Sequence, residues 1–449
     1  MYSDQIIKHD TETTPRGVVS RLSLFVKKIW NHQGIRRYSS NTSWSLLNRI
    51  ITTIVSFAVT AYMVRYLGPA NYGQLSYAIS FVGIFGILST LAIDSILYRN
   101  LIEYKDKHAT YLGTALGIKL CAGIITYIIT VSIAFFYLPK NDISPFLIFI
   151  IASTYIFNAW NIIVYEFQSH INQKTLSIIS LVVLLTLSAL KLLVIVFDKG
   201  IIYFAFIFAL EAILYSVGYI LVRRKIYTPI STWTFDVSIA LNMITEALPL
   251  LVAGSFTLIY SRIDQVMIKH FIDNSSVGIY DAAVRIAEAW LTIPSLIVVS
   301  LFPAILHAKK NSFTSYKKRT LALALCMGGI GGAASLFVMI FGSWMIKVLY
   351  GNAYLTGTSV LHIYTWASIW TSIGLVTYYY LLSERKTKVL FWSSCIAMII
   401  NVALNFLWIP QYGIVGAAWA TFFSYMVVAL PLLTLVRAKS NQNPTSELA

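Results

Sequence analysis

Residues 175–197 read TLSIISLVVLLTLSALKLLVIVF, a run that contains one charged side chain, Lys191. An α-helix needs about 20 mainly apolar residues to cross the hydrocarbon core of a bilayer, so this run predicts a membrane-spanning helix. It is much longer than a strand of a membrane β-barrel, and it does not alternate polar with apolar residues. The run therefore favours an all-α membrane protein.

Runs of the same kind recur along the chain, each bounded by charged residues, proline, glycine or asparagine. The predicted spans are 44–67, 72–97, 111–138, 145–167, 175–197, 201–222, 247–271, 278–306, 320–349, 357–382, 389–409 and 413–436. The fold class that follows is an all-α integral membrane protein with twelve transmembrane helices.

The composition agrees with this fold class. The chain has 449 residues, of which 57% are hydrophobic and only 12% charged, and its mean hydropathy is +0.72. Soluble proteins carry about 25% charged residues, so a soluble enzyme, a secreted disulfide scaffold and a disordered protein are excluded. Cys121, Cys326 and Cys395 lie inside apolar runs. They are expected to be packing residues, since their number and spacing fit neither a disulfide framework nor a metal site.

The lysines and arginines lie mainly on one predicted side of the membrane. If the N-terminus is cytoplasmic, the outer loops carry only Lys140 and Lys199, whereas the inner segments carry most of the 34 basic residues. Cytoplasmic loops are enriched in Lys and Arg, so both termini are expected in the cytoplasm. The formal net charge of +16 is then a consequence of topology, and it indicates no nucleic-acid partner.

Two pairs of similar segments occupy matching positions in the two halves of the chain. They are MVRYL at 63–67 with Gly73 and MIKHF at 267–271 with Gly278, and GII at 200–202 with Ala205 and GIV at 413–415 with Ala418. A repeat of six crossings ends on the side where it began, so both halves keep one orientation. The duplication predicts two six-helix bundles related by a pseudo-two-fold axis along the membrane normal, with a cavity between them.

This duplication also sets the expected domain boundaries. They are a basic cytoplasmic tail at 1–43, an N-terminal six-helix bundle at 44–222, a cytoplasmic linker at 223–246, a C-terminal six-helix bundle at 247–436 and a cytoplasmic C-terminal tail at 437–449.

Three segments resemble motifs of a known family. RYLGPANYG at 65–73 resembles the RxLGPxxYG turn of polysaccharide flippases, and DQVMI at 264–268 followed by VGIY at 277–280 resembles a later hairpin of that family. Asn401, Asn405 and YGIVGAA at 412–418 are similar to its N…LN…IP…GxxGAA signature. The resemblance covers about residues 40–436 and points to Wzx-type O-antigen or capsular polysaccharide flippases, in the multidrug/oligosaccharidyl-lipid/polysaccharide exporter superfamily. One departure is Ala92-Ile93, where the family commonly has Gly-Leu.

The resemblance implies a transporter rather than an enzyme. Its cargo would be an undecaprenyl-pyrophosphate-linked oligosaccharide, moved by alternating access from the cytoplasmic to the periplasmic leaflet of a bacterial inner membrane. The polysaccharide polymerase and the chain-length regulator would be its protein partners. No cofactor or metal is expected, and the sequence has no GxxxxGK[ST] phosphate loop for ATP.

Charged side chains deep in the predicted spans are the candidate functional residues, because an ionised group there needs a partner or a water-filled cavity. Guanidinium groups match phosphate oxygens bidentately, so Arg262 and Arg285 are the first candidates for pyrophosphate contacts. Lys119 and Lys191 are further candidates. For each lysine, a structural pair with Glu211 or another acid is equally open.

The acids nearby are candidates for proton or ion coupling: Asp264, Asp281, Glu288 and Glu211. Asp281, Arg285 and Glu288 share one helical face. They form either a closed ion pair or a switchable pair in which pyrophosphate competes for Arg285 and frees a carboxylate to bind a proton. Arg262 and Asp264 are two positions apart, so they are expected to face different surroundings. Passive transport without coupling stays open.

The fourth predicted span carries a polar stripe formed by Thr154, Asn158, Asn161 and Tyr165. Lipid-facing amides are disfavoured, so this stripe must face protein or water. Asn158, Asn161 and Tyr165 are the candidate sugar contacts, and hydrogen bonding between helices is the alternative.

Two other functions remain as alternatives. A cation-coupled multidrug exporter of the same superfamily has the same layout, and its carboxylates would serve ion coupling. A membrane glycosyltransferase or polymerase is disfavoured, because every predicted outer loop is short and leaves no room for a catalytic domain.

Overall fold

A computed structural model describes residues 33–139, 142–170, 172–227 and 229–437. Most of the predicted tails, at 1–32 and 438–449, lies outside these residues. The described part of the chain is helical and has no strand, which confirms the all-α class. Nine of its helices are long and apolar enough to cross a membrane. Two of them, Leu47–Glu103 and Thr387–Val436, are each long enough to hold two predicted spans, whereas Thr358–Ser383 is not among the nine. The number of crossings therefore stays a prediction.

We number the α-helices in chain order. They are α1 Gln33–Thr90, α2 Asp94–Glu103, α3 His108–Tyr137, α4 Ser144–Ala152, α5 Thr154–Phe157, α6 Ile162–Ser169, α7 Gln173–Val196, α8 Ile201–Ile226, α9 Val237–Phe271, α10 Asn274–Asn311, α11 Phe313–Leu349, α12 Thr358–Ser383, α13 Thr387–Ala429 and α14 Leu433–Arg437. Short 3₁₀ segments lie between some of them, including Asn158–Asn161 between α5 and α6.

Glycines break two of these helices. Gly68 in α1 has φ 69°, and Gly413 in α13 has φ 61°. This left-handed region is open to glycine and costly for other residues. Pro69 follows Gly68 and begins the second segment of α1, a position that suits proline because its missing N–H is not needed there. The turn that resembles RxLGPxxYG is therefore a sharp break between two helical segments.

The two halves of the chain touch through bare backbone near these breaks. A Cβ atom on Gly73 would lie 1.7 Å from the carbonyl oxygen of Asn274, and one on Gly278 would lie 2.1 Å from that of Pro69. Only glycine allows α1 and α10 to approach so closely. We call this side of the molecule the glycine end. The Tyr354 hydroxyl also donates to the Val64 carbonyl there, at 2.8 Å, so the halves are in direct contact at this end.

The segment that joins the halves is bound to the first half. A Cβ atom on Gly117 in α3 would lie 2.8 Å from the ring of Phe235, and the Asp236 amide donates to the Thr114 hydroxyl at 3.1 Å. Nearby, Arg223 donates to Glu166 at 2.6 Å, and both side chains are buried. The linker is thus packed along α3 on the side of the molecule opposite the glycine end.

Candidate functional site

A buried carboxylate lies where α1, α9 and α10 meet. Asp281 on α10 accepts hydrogen bonds from the Tyr72 hydroxyl on α1 and, at 2.7 Å, from the Gln265 amide on α9. Arg285, one turn further along α10, donates from Nε to Asp281 at 2.8 Å and to the Tyr72 hydroxyl at 2.5 Å. We call these four residues the Asp281 cluster. It joins both halves of the chain, and its carboxylate is fully supplied with donors.

The guanidinium of Arg285 is only partly used by this cluster. Its side chain is 33% exposed, against 2% for Asp281. A guanidinium has five N–H donors, and the hydrogen bonds of Arg285 within the described part of the chain involve Nε alone. The two terminal nitrogens are therefore available to an anion.

A second arginine lies close to the first. The Arg262 side chain on α9 reaches the second segment of α1, where its Cγ lies 3.9 Å from the Cβ position of Gly83. It is attracted by Glu288 and Asp281 and repelled by Arg285. No hydrogen bond from its guanidinium to another described residue is formed. Two guanidinium groups with unused donors thus share one region between the halves.

Two more charged groups extend this region into the first half. Lys191 on α7 interacts electrostatically with Glu211 on α8 and with Arg285 across the boundary between the halves. The lysine and the glutamate are not an ion pair within 4.0 Å. Glu211 lines a cavity of about 450 Å³ together with Asn158, Asn161 and Tyr165. The predicted polar stripe therefore faces a cavity rather than lipid.

Asp264 occupies separate surroundings inside the second half. Its carboxylate accepts hydrogen bonds from Tyr280 at 2.6 Å, Asn405 at 2.6 Å and Thr421 at 2.5 Å. Asn405 in turn donates to Asn401 at 3.0 Å. This carboxylate is buried and accepts hydrogen bonds from neutral donors only. Asp281 differs, because it also accepts a hydrogen bond from an arginine. Arg262 and Asp264 do face different surroundings, as their spacing indicates.

Lys119 has a partner in the structure. Its ammonium pairs with Asp94 at the start of α2, and the lysine side chain is 1% exposed. The Tyr165 ring lies 5.7 Å from the same ammonium. The geometry thus favours the structural pair that the sequence left open for this lysine over a pyrophosphate contact.

Several residues of the site were not singled out from the sequence. Tyr72, Gln265 and Tyr280 belong to the quoted motifs, which mark structural turns and give no sign of a polar role. Thr421 lies outside these motifs, and a lone hydroxyl in an apolar helix is common. Within the described part of the chain, no group of three His, Cys, Asp or Glu side chains is arranged to hold a metal ion.

Comparisons with known proteins give one family and a shared fold. The family profile described as "Polysaccharide biosynthesis protein" matches residues 39–309. The "Probable flippase AglR" of Haloferax volcanii is 26% identical over 196 residues, which are 42% of this chain and 40% of the relative. The chain thus spans about two fifths of the length of this curated relative.

Two solved structures share the fold. An inward-facing multidrug resistance MATE family transporter of the MOP superfamily aligns with a TM-score of 0.69 and 14% identity, over 86% of this chain and 94% of its own. The lipid II flippase MurJ, in an inward closed conformation, aligns with a TM-score of 0.64 and 18% identity, over 89% of this chain and 87% of its own.

Proposed function

The chain belongs to the polysaccharide biosynthesis protein family, and on that premise we propose that it is a flippase for undecaprenyl-pyrophosphate-linked oligosaccharide repeat units. It moves them by alternating access from the cytoplasmic to the periplasmic leaflet of a bacterial inner membrane, for O-antigen or a related surface polysaccharide. The polymerase and the chain-length regulator that act on the flipped unit are its proposed partners.

The topology that we propose has twelve crossings. Two six-helix bundles, 44–222 and 247–436, are related by a pseudo-two-fold axis along the membrane normal and joined by the linker at 223–246. Both termini, 1–43 and 437–449, are cytoplasmic tails. The breaks at Gly68 and Gly413 support this count, because each divides a long helix into two segments that match two predicted spans.

The observation that carries the proposal is the pair of guanidinium groups between the halves whose N–H donors, among the described residues, are partly unused in Arg285 and unused in Arg262. Arg262 and Arg285 can each offer two parallel N–H donors to phosphate oxygens. A pyrophosphate that binds Arg285 competes with Asp281 for its charge. A cargo that competes in this way would bind one conformation of the site more tightly than the other. A conformational change driven by a ligand requires such a difference in binding.

Alternating access is supported by the contact at the glycine end. By the positive-inside distribution, this end is periplasmic. The backbone contacts of Gly73 and Gly278 close it, so the region around Arg285 is separated from the periplasm in this state. Separation of α1 from α10 would open it.

Coupling to an ion is proposed for the carboxylates. Asp264, with oxygen-bearing neighbours Asn401, Asn405 and Thr421, suits a proton or a small hard cation, and the Asn405 carbonyl oxygen is buried without a hydrogen-bond partner. Glu288 and Asp281 would respond to whether the arginines hold an anion, since the arginines stay charged. Export of amphiphilic cations coupled to the same ions is the alternative function, since a multidrug transporter shares the fold.

The test is flipping by the purified full-length protein in liposomes. A fluorescent undecaprenyl-pyrophosphate-linked glycan is added, and the fraction reached by a membrane-impermeant quencher is followed, with and without proton or sodium gradients. R262Q and R285Q are expected to slow flipping at least about tenfold, because each removes a charge-assisted contact. R224Q, which changes an exposed arginine on α8, is the matched control.

Two results would count against this function. Wild-type rates in both R262Q and R285Q would contradict the arginine assignment. No flipping by the wild-type protein, together with drug resistance conferred on sensitive cells, would favour the multidrug exporter.

A further inference from the structure

The cavity beside Glu211 is polar although it lies at membrane depth. Its walls are α5, the 3₁₀ segment Asn158–Asn161, α6 and α8. A 3₁₀ stretch inside a spanning segment has poorer hydrogen-bond geometry than a regular α-helix. Irregular backbone at this depth is tolerated where it lines a cavity or is buried in protein. The break in the fourth predicted span therefore belongs to the cavity.

The cavity contains one carboxylate with no close partner. Glu211 is partly exposed, and within the described ranges it forms neither a hydrogen bond nor an ion pair within 4.0 Å. It interacts electrostatically with Lys191. A charge inside the membrane without a direct partner is costly and marks a functional site. The Glu211 carboxylate therefore has acceptor capacity in the cavity for a ligand with hydrogen-bond donors.

The other walls match an uncharged, hydroxyl-rich ring. Asn158 and Asn161 each present an amide, which both donates and accepts, and they are in weak contact with each other at 3.4 Å. Tyr215 and Tyr219 have stacked rings with centroids 5.8 Å apart, and both line the cavity. Amides and aromatic rings around one carboxylate suit a sugar, whose hydroxyl groups donate and whose C–H face is apolar.

The position of the cavity relative to the arginines decides which sugar it would hold. Lys191 interacts electrostatically with both Glu211 and Arg285, although it does not itself line the cavity. A pyrophosphate held by Arg285 would therefore place the sugar directly attached to it on the Lys191 side. The cavity is thus reached by the first sugar rather than by the distal end of the glycan.

From these observations we infer that Glu211, together with Asn158 and Asn161, forms a specificity subsite for the first sugar of the cargo, and that this sugar is a neutral pyranose. Two of its hydroxyl groups donate to Glu211, and one of its oxygens accepts from the amide of Asn158 or Asn161. A hexuronic acid is disfavoured, because its carboxylate would face that of Glu211. This inference rests on the proposed flippase function, and it gives Glu211 a role in sugar recognition instead of ion coupling.

The experiment compares three lipids on purified full-length protein in detergent. They are undecaprenyl pyrophosphate alone, the same lipid carrying glucose, and the same lipid carrying glucuronic acid. Dissociation constants are measured for the wild type, for E211Q and for E103Q. The last is the matched control, because Glu103 is exposed at the end of α2 and its contact with Arg99 is 4.0 Å long.

We expect the wild type to bind the glucosyl lipid at least about tenfold more tightly than the bare lipid, since hydrogen bonds to a charged group contribute that much. In E211Q this ratio should fall about tenfold, and the discrimination against glucuronic acid should disappear. E103Q should keep both ratios. Equal ratios in E211Q and the wild type would overturn the inference.

Two further outcomes are distinguishable. If E211Q does not insert, N161A provides the second variant, and a glucosyl-to-bare ratio equal to that of the wild type would again overturn the inference. If the wild type binds none of the three lipids, the proposed function itself fails, and the subsite fails with it.

Discussion

Replacing Gly278 with alanine should open the glycine end. The added Cβ would lie 2.1 Å from the Pro69 carbonyl oxygen and 2.9 Å from the Gly73 nitrogen. Ordinary contact needs about 3.5 Å, so the backbones of α1 and α10 would have to part by roughly 1 Å or more. The obstacle is backbone on both sides and cannot rotate away. Overpacking of this kind costs about 1–3 kcal/mol.

That cost falls on the closed state alone, because the two glycines are no longer in contact once the halves separate. A shift of about 1–3 kcal/mol changes the ratio of closed to open molecules by roughly 5- to 150-fold. The matched control is Gly329→Ala in α11, where a Cβ would meet nothing within 4 Å. Alanine there should be tolerated or should stabilise its helix slightly.

Distance measurement between two spin labels is the assay. Labels at Lys199 and Asn352, both exposed near the glycine end and in different halves, are introduced after Cys121, Cys326 and Cys395 are replaced. G278A should populate a longer distance that G329A does not. Identical distance distributions in both variants, with both proteins folded, would refute the assignment of this contact as a gate.

Two other changes have predictable effects. Ala92→Gly should raise the free energy of unfolding by about 1 kcal/mol, because Ala92 has φ 53° and glycine relieves left-handed strain; a thermal melt of A92G no higher than that of wild type would contradict this. Burial opposes ionisation of Asp142, but the Lys269 ammonium and Ser144 outweigh it and lower the pKa of that carboxyl below 3.8. A carboxyl whose pKa is lower in the folded protein than in the unfolded chain stabilises the fold at pH values above its unfolded-state pKa. This stabilisation is lost as the pH falls through the folded-state pKa. D142N should therefore destabilise the protein at pH 7. Its melting temperature, measured between pH 3 and 7, should also fall less on acidification than that of the wild type. An unchanged dependence of the melting temperature on pH would argue against the Asp142–Lys269 pair.

Helix positions could be predicted from the sequence because apolar runs are long and their ends carry turn residues. For this reason the break at Gly68 lies between two predicted spans, and the break at Gly413 lies at the first residue of the last predicted span. Ala92 shows the opposite case. It stands where the resembling family commonly has glycine, and the structure places it in the left-handed region that favours glycine.

The candidate site was only partly predictable. Spacing alone places Arg285 beside Asp281, since i and i+4 share a helical face. The partners of Lys119 and Asp281 could not be found this way. Asp94 and Tyr72 lie on other helices, and which helix faces which is decided by tertiary packing. Glu211 is a related case: its charge was visible in the sequence, but the cavity beside it depends on how α8 packs against the broken fourth span.

The Tyr72 hydroxyl and the Arg285 Nε converge on the same oxygen of Asp281. Parting the halves removes the first donor, and an anion that draws the arginine away removes the second. Each loss leaves the carboxylate more dependent on the donor that remains, so the two events are thermodynamically linked and the linkage is reciprocal. A variant that weakens the tyrosine contact should therefore also change how strongly the arginine holds an anion, even though the two groups lie on opposite sides of the boundary.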